Sequence, residues 1–214
     1  MPSYCYDHPR PAVATDMVIL SLGGRSLQVL LVRRGAEPFK GLWALPGGFL
    51  QETEDLDACA RRETEEETGV APGRLLQFAN FSAPDRDPRG RVISVAYLAL
   101  IHAPDVRLQA GTDAEAAAWR PLEAAGDLAF DHTKILAAAR DRLRSEVRAD
   151  PAFLLPLMPP AFTLARLQAA FEAATEQPAD KRNFRKQVEE SGRLLPLDAF
   201  ERGPHRPARL YSGA

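Results

Sequence analysis

Apolar and polar positions change rhythm several times along this chain, and the first change is the sharpest. The runs VATDMVILSL and LQVLLVRR are rich in β-branched residues and are separated by Gly23, Gly24, Arg25 and Ser26, so residues 12–34 predict a β-hairpin. Short apolar runs at 42–45, 75–81, 91–102 and 118–122 predict further strands. Between them the period becomes helical. Residues 56–68, LDACARRETEEET, predict a helix: Asp55 caps its first turn, Asp57 suits the positive end of its dipole, and Gly69 ends it by taking a left-handed conformation. A second helix is predicted over about 133–148.

The pattern then breaks and restarts. DPAFLLPLMPP places Pro151, Pro156, Pro159 and Pro160 in a short span, which reads as a domain boundary. The expected organisation is therefore a first domain over 1–150, a Pro-rich linker over 151–160 and a second domain over 161–214. In the second domain Thr163 caps LARLQAAFEAATE, whose Leu164, Leu167, Ala170, Phe171 and Ala174 form one apolar stripe. Gln177, Pro178 and Ala179 turn the chain, Asp180 caps KRNFRKQVEES, and Gly192 stops it. LLPLDAF and PARLY flank ERGPHR and predict a hairpin with a basic tip. Internal repeats and low-complexity tracts are absent from the sequence.

Composition limits the function classes without choosing among them. The chain has 214 residues, 45% hydrophobic and 26% charged, with a net charge of −2, enough for one large domain or two small ones. Bulk charge points to no partner, but residues 160–214 hold nine Lys/Arg against seven Asp/Glu, leaving an acidic body and a mildly basic tail. That split is compatible with two jobs and does not by itself require them. No apolar run approaches the ~18 residues that a membrane helix needs, and MPSYCYDHPR lacks the layout of a signal peptide, so a cytoplasmic protein is expected. Cys5 and Cys59 are too few for a disulfide framework and too isolated for a metal set.

The chemistry concentrates in GGFLQETEDLDACARRETEEETGV, residues 47–70. On a helix turning about 100° per residue, Glu63, Glu66 and Glu67 share one face, while Glu65 falls on the other. Three like charges on one face repel one another unless something positive sits among them, and Mg²⁺ (or Mn²⁺) takes carboxylate oxygens together with phosphate. Gly47 and Gly48 permit a tight turn close to a ligand, and Arg62 is placed to pair with a neighbouring carboxylate. A charge run on a helix is more often a solvated face, and the spacing is what argues otherwise. Gly48, five residues, Glu54, seven residues, Arg62-Glu63, one residue, Glu65, Glu66-Glu67, one residue, Gly69 and Val70 resembles the signature of the Nudix hydrolase superfamily. One aliphatic position departs, since Thr64 stands where Leu, Ile or Val is usual. The resemblance implies an α/β fold, a Nudix α/β/α sandwich with a mixed sheet, and metal-dependent cleavage of a nucleoside diphosphate linked to a group X. It also implies that Glu63, Glu66 and Glu67 bind the metal or activate water, with Arg62 orienting them. No Ser, Cys or His nucleophile is then required, and the four histidines are scattered along the chain. In some relatives a glutamate on a distant loop is the base; Glu115, Asp113, Asp85 and Asp87 all stand as candidates here.

Substrate recognition is less local. Arg33, Arg34 and Lys40 lie between the hairpin and the acidic helix, where they either meet phosphates or are surface charges. DRDPRGRVISVAYLAL, with YDHPRPAVATDMVIL and RRGAEPFKGLWALPGGF, is similar to the ADP-ribose-directed branch of the superfamily. That likeness makes Arg33, Arg34, Gly47, Gly48, Asp85 and Arg89 the substrate-binding candidates.

The tail has a winged-helix layout, a helix-turn-helix followed by a hairpin, whose second helix would enter the major groove of DNA. Lys181, Arg182, Asn183, Arg185 and Lys186 cluster on that helix while Phe184 and Val188 face the core, and Arg202, His205 and Arg206 at the hairpin are placed for phosphates. A small interaction or dimerisation domain with ordinary surface lysines has the same composition. FTLARLQAAFEAATEQPADKRNFRKQVEESGRLLPL followed by RPARLY resembles the C-terminal domain of the NrtR family, Nudix-related transcriptional regulators of NAD metabolism. The resemblance implies a homodimeric, ADP-ribose-responsive regulator that binds a double-stranded DNA operator; many such regulators have damaged boxes and only sense the nucleotide, whereas the acidic positions here are complete and would serve a hydrolase. The alternative is an ADP-ribose pyrophosphatase whose tail serves dimerisation or substrate access.

Overall fold

A computed structural model describes residues 7–8, 10–102, 114–202 and 207–213, with backbone alone at 114 and 115. Strands β1 (Ala12–Gly23) and β2 (Ser26–Arg34) form the expected hairpin, closing at Gly23 opposite Ser26, and Gly24 supplies the positive φ of +66° that the turn needs. β3 (Trp43–Ala44) pairs with β2, and β4 (Leu76–Phe81) pairs antiparallel with β5 (Val92–Leu100). β5 runs parallel to β1 in continuous register from Ala12–Val92 to Leu20–Leu100. The sheet order is β3-β2-β1-β5-β4, with β6 (Ala114–Pro121) also on β2, so the sheet is mixed. β6 begins earlier than the pattern predicts. Its AEAAA start has poor strand propensity, and the strand forms because β2 offers it paired backbone from Gln28 to Arg34.

Both faces of the sheet are covered, and the alternation along β1 shows how. Met17 and Ile19 face a cluster with Leu30, Val95, Tyr97 and Ala60 of helix α1 (Leu56–Thr68). Val18, Leu20 and Leu22 face the opposite cluster, with Leu98, Leu100 and, from helix α2 (His132–Ala149), Ile135, Leu136, Ala139 and Leu143. β1 is consequently buried almost throughout, as a central strand between two helical layers must be. α1 has its expected ends: Asp55 accepts from the Ala58 amide at 2.8 Å, and Gly69, at φ 72°, donates to the Glu65 carbonyl at 2.8 Å. Thr64 is fully buried, and its hydroxyl is satisfied by the Ala60 carbonyl at 2.7 Å. The departure from an aliphatic residue therefore leaves no orphaned polar atom.

The proline-rich stretch is packed. Pro151–Leu157 is a 3-10 helix with Pro151, Ala152, Leu154 and Leu157 buried, and Asp150 caps it by accepting from the Ala152 amide at 2.9 Å. Leu154 and Leu157 join the same core as α2 and the C-terminal helices. After it come β7 (Phe162–Thr163), α3 (Leu164–Thr175), α4 (Lys181–Glu190), β8 (Leu194–Glu201) and β9 (Ala208–Gly213). The strands form a second, antiparallel sheet in the order β7-β9-β8. β7 has only two residues, too few for any periodicity to mark it. Pro196 is accommodated in β8 because that strand has one neighbour and an open edge. Thr163 and Asp180 cap their helices as expected. Phe184 and Val188 are buried, with the Phe184 ring 5.3 Å from that of Phe171. His205 and Arg206 at the hairpin tip lie outside the described residues, as do Cys5 and Asp113.

Candidate functional site

The Gly47-Gly48 turn docks on β1 through three backbone bonds: Met17 to the Pro46 carbonyl, Thr15 to that of Gly48, and Leu50 to that of Val13, at 2.8, 2.9 and 2.9 Å. Gly47 has a φ of 152°, and a Cβ there would meet the Thr15 carbonyl. A Cβ on Gly48 would overlap the Glu63 carboxylate. The two glycines thus bring the acidic face of α1 against the end of the sheet, and the Gly47 amide donates to Glu67 Oε2 at 2.9 Å.

Arg62 organises the carboxylates around it. Its Nε and Nη2 clamp Glu54 at 2.9 and 2.7 Å, and Nη1 donates to Glu63 at 2.8 Å and to Glu66 at 3.0 Å. The bidentate pair holds the Glu54 carboxyl down at about 2, and the carboxylates push the guanidinium up. Glu67 is perturbed in the other direction. Burial pushes its carboxyl from 4.5 up to about 7, with the charges of Glu63 and Asp16 adding, although the Gly47 amide and Arg34 oppose the rise. Among the described residues, no three acidic, His or Cys side chains are preassembled to hold a metal ion. The donor set is nevertheless the right chemistry for one: oxygen-only, anionic, and carrying in Glu67 a buried carboxylate whose ionisation a cation would favour.

Beside the carboxylates lies a cavity of about 530 Å³. Glu63, Glu67, Gly47, Gly48, Arg33, Arg34 and Arg89 line it, whereas Arg62, Glu66 and Asp85 do not. Glu66 is largely exposed and is tied to the group only through Arg62. Asp85 stands exposed in a separate, smaller cleft beside Lys134. Arg33 donates to the Gly41 carbonyl at 3.0 Å, and Arg34 donates to that of Pro38 at 2.7 Å. The Arg34 guanidinium lies 4.8 Å from the centre of the Phe130 ring. Arg89 lies 5.0 Å from Phe49 and 5.5 Å from Phe130, so two cations and two aromatic faces meet at this wall. Arg89 is steadied by Asp87, which it meets through Nε at 3.0 Å and Nη2 at 2.7 Å. Of the candidate distant bases, Asp87 alone is described within the cavity, and it is committed to Arg89.

The cavity floor holds a network that the sequence pattern does not single out. Buried Asp16 accepts from Ser94 at 2.5 Å and Arg86 at 3.1 Å, and faces His132 Nε2 at 3.2 Å. Burial opposes ionisation of Asp16, but His132, Ser94 and Arg86 outweigh it and hold the carboxyl at about 2. His132 Nδ1 accepts from the Leu45 amide at 2.9 Å, which assigns the ring proton to Nε2, toward Asp16. Arg86 also clamps Asp131, at the start of α2, through Nε at 3.1 Å and Nη2 at 2.7 Å. One signal for this network was available: Asp16 is a charge inside an otherwise apolar strand run.

In the second domain, Lys181, Arg182, Asn183, Arg185 and Lys186 are all exposed on α4, opposite its buried Phe184 and Val188. Arg185 and Lys186 pair along the helix with Glu189 at 2.9 Å and Glu190 at 3.8 Å, and such exposed pairs are weak enough to be exchanged for phosphates.

Comparison with known proteins bears on both domains. The family model described as NUDIX domain matches residues 10–140, and the one described as NrtR DNA-binding winged helix domain matches residues 154–212. The chain is 40% identical over 209 residues to the ADPR responsive transcriptional repressor NtrR of Acinetobacter baylyi, covering 96% of this chain and 83% of that one. It belongs to the NrtR family of Nudix proteins. The crystal structure of Shewanella oneidensis NrtR complexed with a 27mer DNA superposes with a TM-score of 0.83 at 32% identity, covering 94% of this chain and 93% of that one. The Nudix half is also 41% identical over 126 residues to an ADP-ribose pyrophosphatase of Methanocaldococcus jannaschii, 59% of this chain and 71% of that protein. The NrtR likeness thus spans both domains, and the mixed sheet, covering helices and winged helix agree with it. No described helix is long and apolar enough to cross a membrane.

Proposed function

We propose that this protein is an ADP-ribose-responsive, DNA-binding transcriptional regulator of NAD metabolism whose Nudix domain retains hydrolysis of ADP-ribose. The observation that carries the reading is the near-full-length likeness to a repressor of that description, in a chain whose acidic box is complete. The cavity suits a dinucleotide-like ligand. Arg33, Arg34 and Arg89 present positive charge for a diphosphate, and the exposed ring of Phe49 presents an apolar surface for a base, with Phe130 packed behind the arginines. α4 supplies the basic, exposed face that a major-groove helix needs, with Lys181, Arg182, Asn183, Arg185 and Lys186 on it.

Hydrolysis would place one water across the diphosphate, giving AMP and ribose 5-phosphate. Glu63, Glu66 and Glu67 would hold Mg²⁺ or Mn²⁺, with Arg62 releasing part of its hold on Glu63 and Glu66 while keeping Glu54 as its anchor. When bound, the cation neutralises phosphate charge and favours ionisation of the attacking water. Glu67, whose ionisation burial and the charge of Glu63 oppose in the empty site, would gain its charge as the cation arrives, so that metal binding and loss of its proton go together. Arg89, braced by Asp87, orients the diphosphate. The chain works as a homodimer in this reading, so that two α4 helices address two half-sites.

The test is a gel shift of the full-length protein on DNA from upstream of its own gene and of neighbouring NAD-related genes, with and without ADP-ribose. A shift that ADP-ribose releases is expected, because a ligand releases DNA only if it favours the arrangement that binds DNA poorly. No shift on any fragment at modest salt would overturn the regulator and leave a pyrophosphatase.

A further inference from the structure

The hairpin that opens the Nudix sheet also reaches the winged helix. β2 packs against α3, and Leu22 and Leu27 near the hairpin's end belong to the same core as Leu167, Ala170 and Ala174 of α3. That packing fixes the hairpin tip beside an open cleft of about 520 Å³, walled by Gly24 and Arg25 on one side and by α3 and the start of α4 on the other. Three cations line the cleft, each from a different element: Arg25 from the hairpin, Arg166 from α3 and Lys181 from α4. All three are exposed. Glu172 also lines the cleft, accepting from Gln168 Nε2 at 3.0 Å and the Ala179 amide at 3.1 Å and close enough to Arg25 for that cation to favour its charge, so it offsets one of the three cations. The cleft is therefore net positive.

Its position gives that charge a partner. Lys181 is the first residue of α4 and Arg166 the third of α3. In a helix-turn-helix the second helix enters the groove by its N-terminal residues while the first crosses the sugar-phosphate backbone, so the space between these two helix starts is where a strand passes. We propose that Arg25, although it belongs to the Nudix domain, is a DNA-backbone contact: with Arg166 and Lys181 it forms a phosphate-binding cleft that straddles both domains. The proposal rests on the DNA-binding reading above and extends the interface beyond the winged helix. Phosphate contacts of this kind position the protein on the duplex and carry no sequence information.

The experiment is fluorescence anisotropy of the full-length protein across a series of salt concentrations. The probes are a labelled random-sequence duplex and a labelled duplex that the protein enriches from a random pool. Arg25→Ala should weaken binding about three- to tenfold on both and lower the slope of log affinity against log salt by about 1, while Arg25→Lys keeps the slope. ADP-ribose affinity and the melting temperature should not change. If Arg25→Ala matches wild type in slope and affinity while Arg182→Ala weakens binding, the Nudix hairpin does not touch DNA and the winged helix alone does. If Arg25→Ala instead lowers ADP-ribose affinity and leaves the salt slope intact, the cleft serves the nucleotide and the proposal fails. If wild type binds neither duplex, the regulator reading falls and this one with it.

Discussion

Glu67→Gln isolates the perturbed carboxylate in the site. In the folded protein the carboxyl sits at about 7 against an ordinary 4.5, so its proton is bound more tightly in the native state than in the unfolded chain. Stability from this group is therefore fully present below about pH 4.5, falls as pH rises from there to about 7, and is flat above. At about 1.4 kcal/mol per tenfold change in ionisation constant, the whole effect is about 3 kcal/mol. The side chain keeps some contact with solvent, so about 2 kcal/mol is the realistic expectation. Glutamine cannot ionise, yet its amide oxygen can still accept from the Gly47 amide. Urea unfolding in EDTA between about pH 4 and pH 9 should show the variant equal to wild type at the acid end and about 2 kcal/mol more stable above neutrality. Mg²⁺ should narrow that gap by stabilising wild type, and the variant should lose hydrolysis. A difference that does not change with pH, or a wild type more stable at pH 8 in EDTA, would refute the reasoning.

Three further outcomes follow from the geometry. Asp16→Asn removes the charge that Arg86, Ser94 and His132 surround, and should cost about 3 kcal/mol at pH 7 in urea unfolding. Because the Asp16 carboxyl is held at about 2, below its ordinary 3.8, that contribution is present above about pH 4 and lost as pH falls through 2. A cost under about 1 kcal/mol at pH 7 would count against the network. Gly48→Ala drives a methyl into the Glu63 carboxylate, so turnover should fall on the order of a hundredfold with a much smaller loss of melting temperature; unchanged kinetics would mean that Glu63 acts elsewhere. Arg182→Ala with Arg185→Ala should weaken DNA binding and lower the salt slope by up to about 2, and an unaltered slope would remove both from the phosphate contacts.

Legibility followed the range of the interactions. α1 could be read to its last residue because each end is set within about one turn, by Asp55 on the Ala58 amide and by Gly69 on the Glu65 carbonyl. The same locality exposed Glu63, Glu66, Glu67 and Arg62, whose partners lie on the same helix or just before it. The cavity floor was not legible, because its bonds join distant segments: Leu45 to His132, Ser94 to Asp16, Arg86 to Asp16 and Asp131. Asp16 and Ser94 did leave a trace as polar residues in apolar strands, but neither names its partner. Asp85 was named through the likeness of its segment to the ADP-ribose-directed branch, yet the turn that buries Arg86 and Asp87 leaves Asp85 facing the other cleft. Only the second half of β6 was legible, because residues 114–117 become strand only on the edge that β2 provides.

α2 has one end in the cavity and the other on the helix-turn-helix, and that arrangement explains an otherwise costly residue. Asp131 and His132 open the helix against Arg86 and Asp16, while Arg140, Arg144 and Arg148 further along it engage Glu176 and Gln177, where α3 turns toward α4. Glu176 takes a left-handed φ of 55° to end α3, a conformation that costs a non-glycine residue about 1 kcal/mol. Half-exposed ion pairs to Arg140 and Arg144 return no more than about that much, so stability alone does not favour Glu over Gly at this position. What the glutamate adds is a fixed tie between the turn and the helix whose first residue, His132, lines the cavity. Glu176→Gly should therefore leave the melting temperature equal or slightly higher and ADP-ribose affinity unchanged, while the factor by which ADP-ribose weakens DNA binding shrinks. Linkage requires the reciprocal effect, a smaller influence of DNA on ADP-ribose affinity, measurable by titrating nucleotide into protein with and without saturating DNA. A variant in which both factors stay at their wild-type values would show that the domains communicate by a route other than α2.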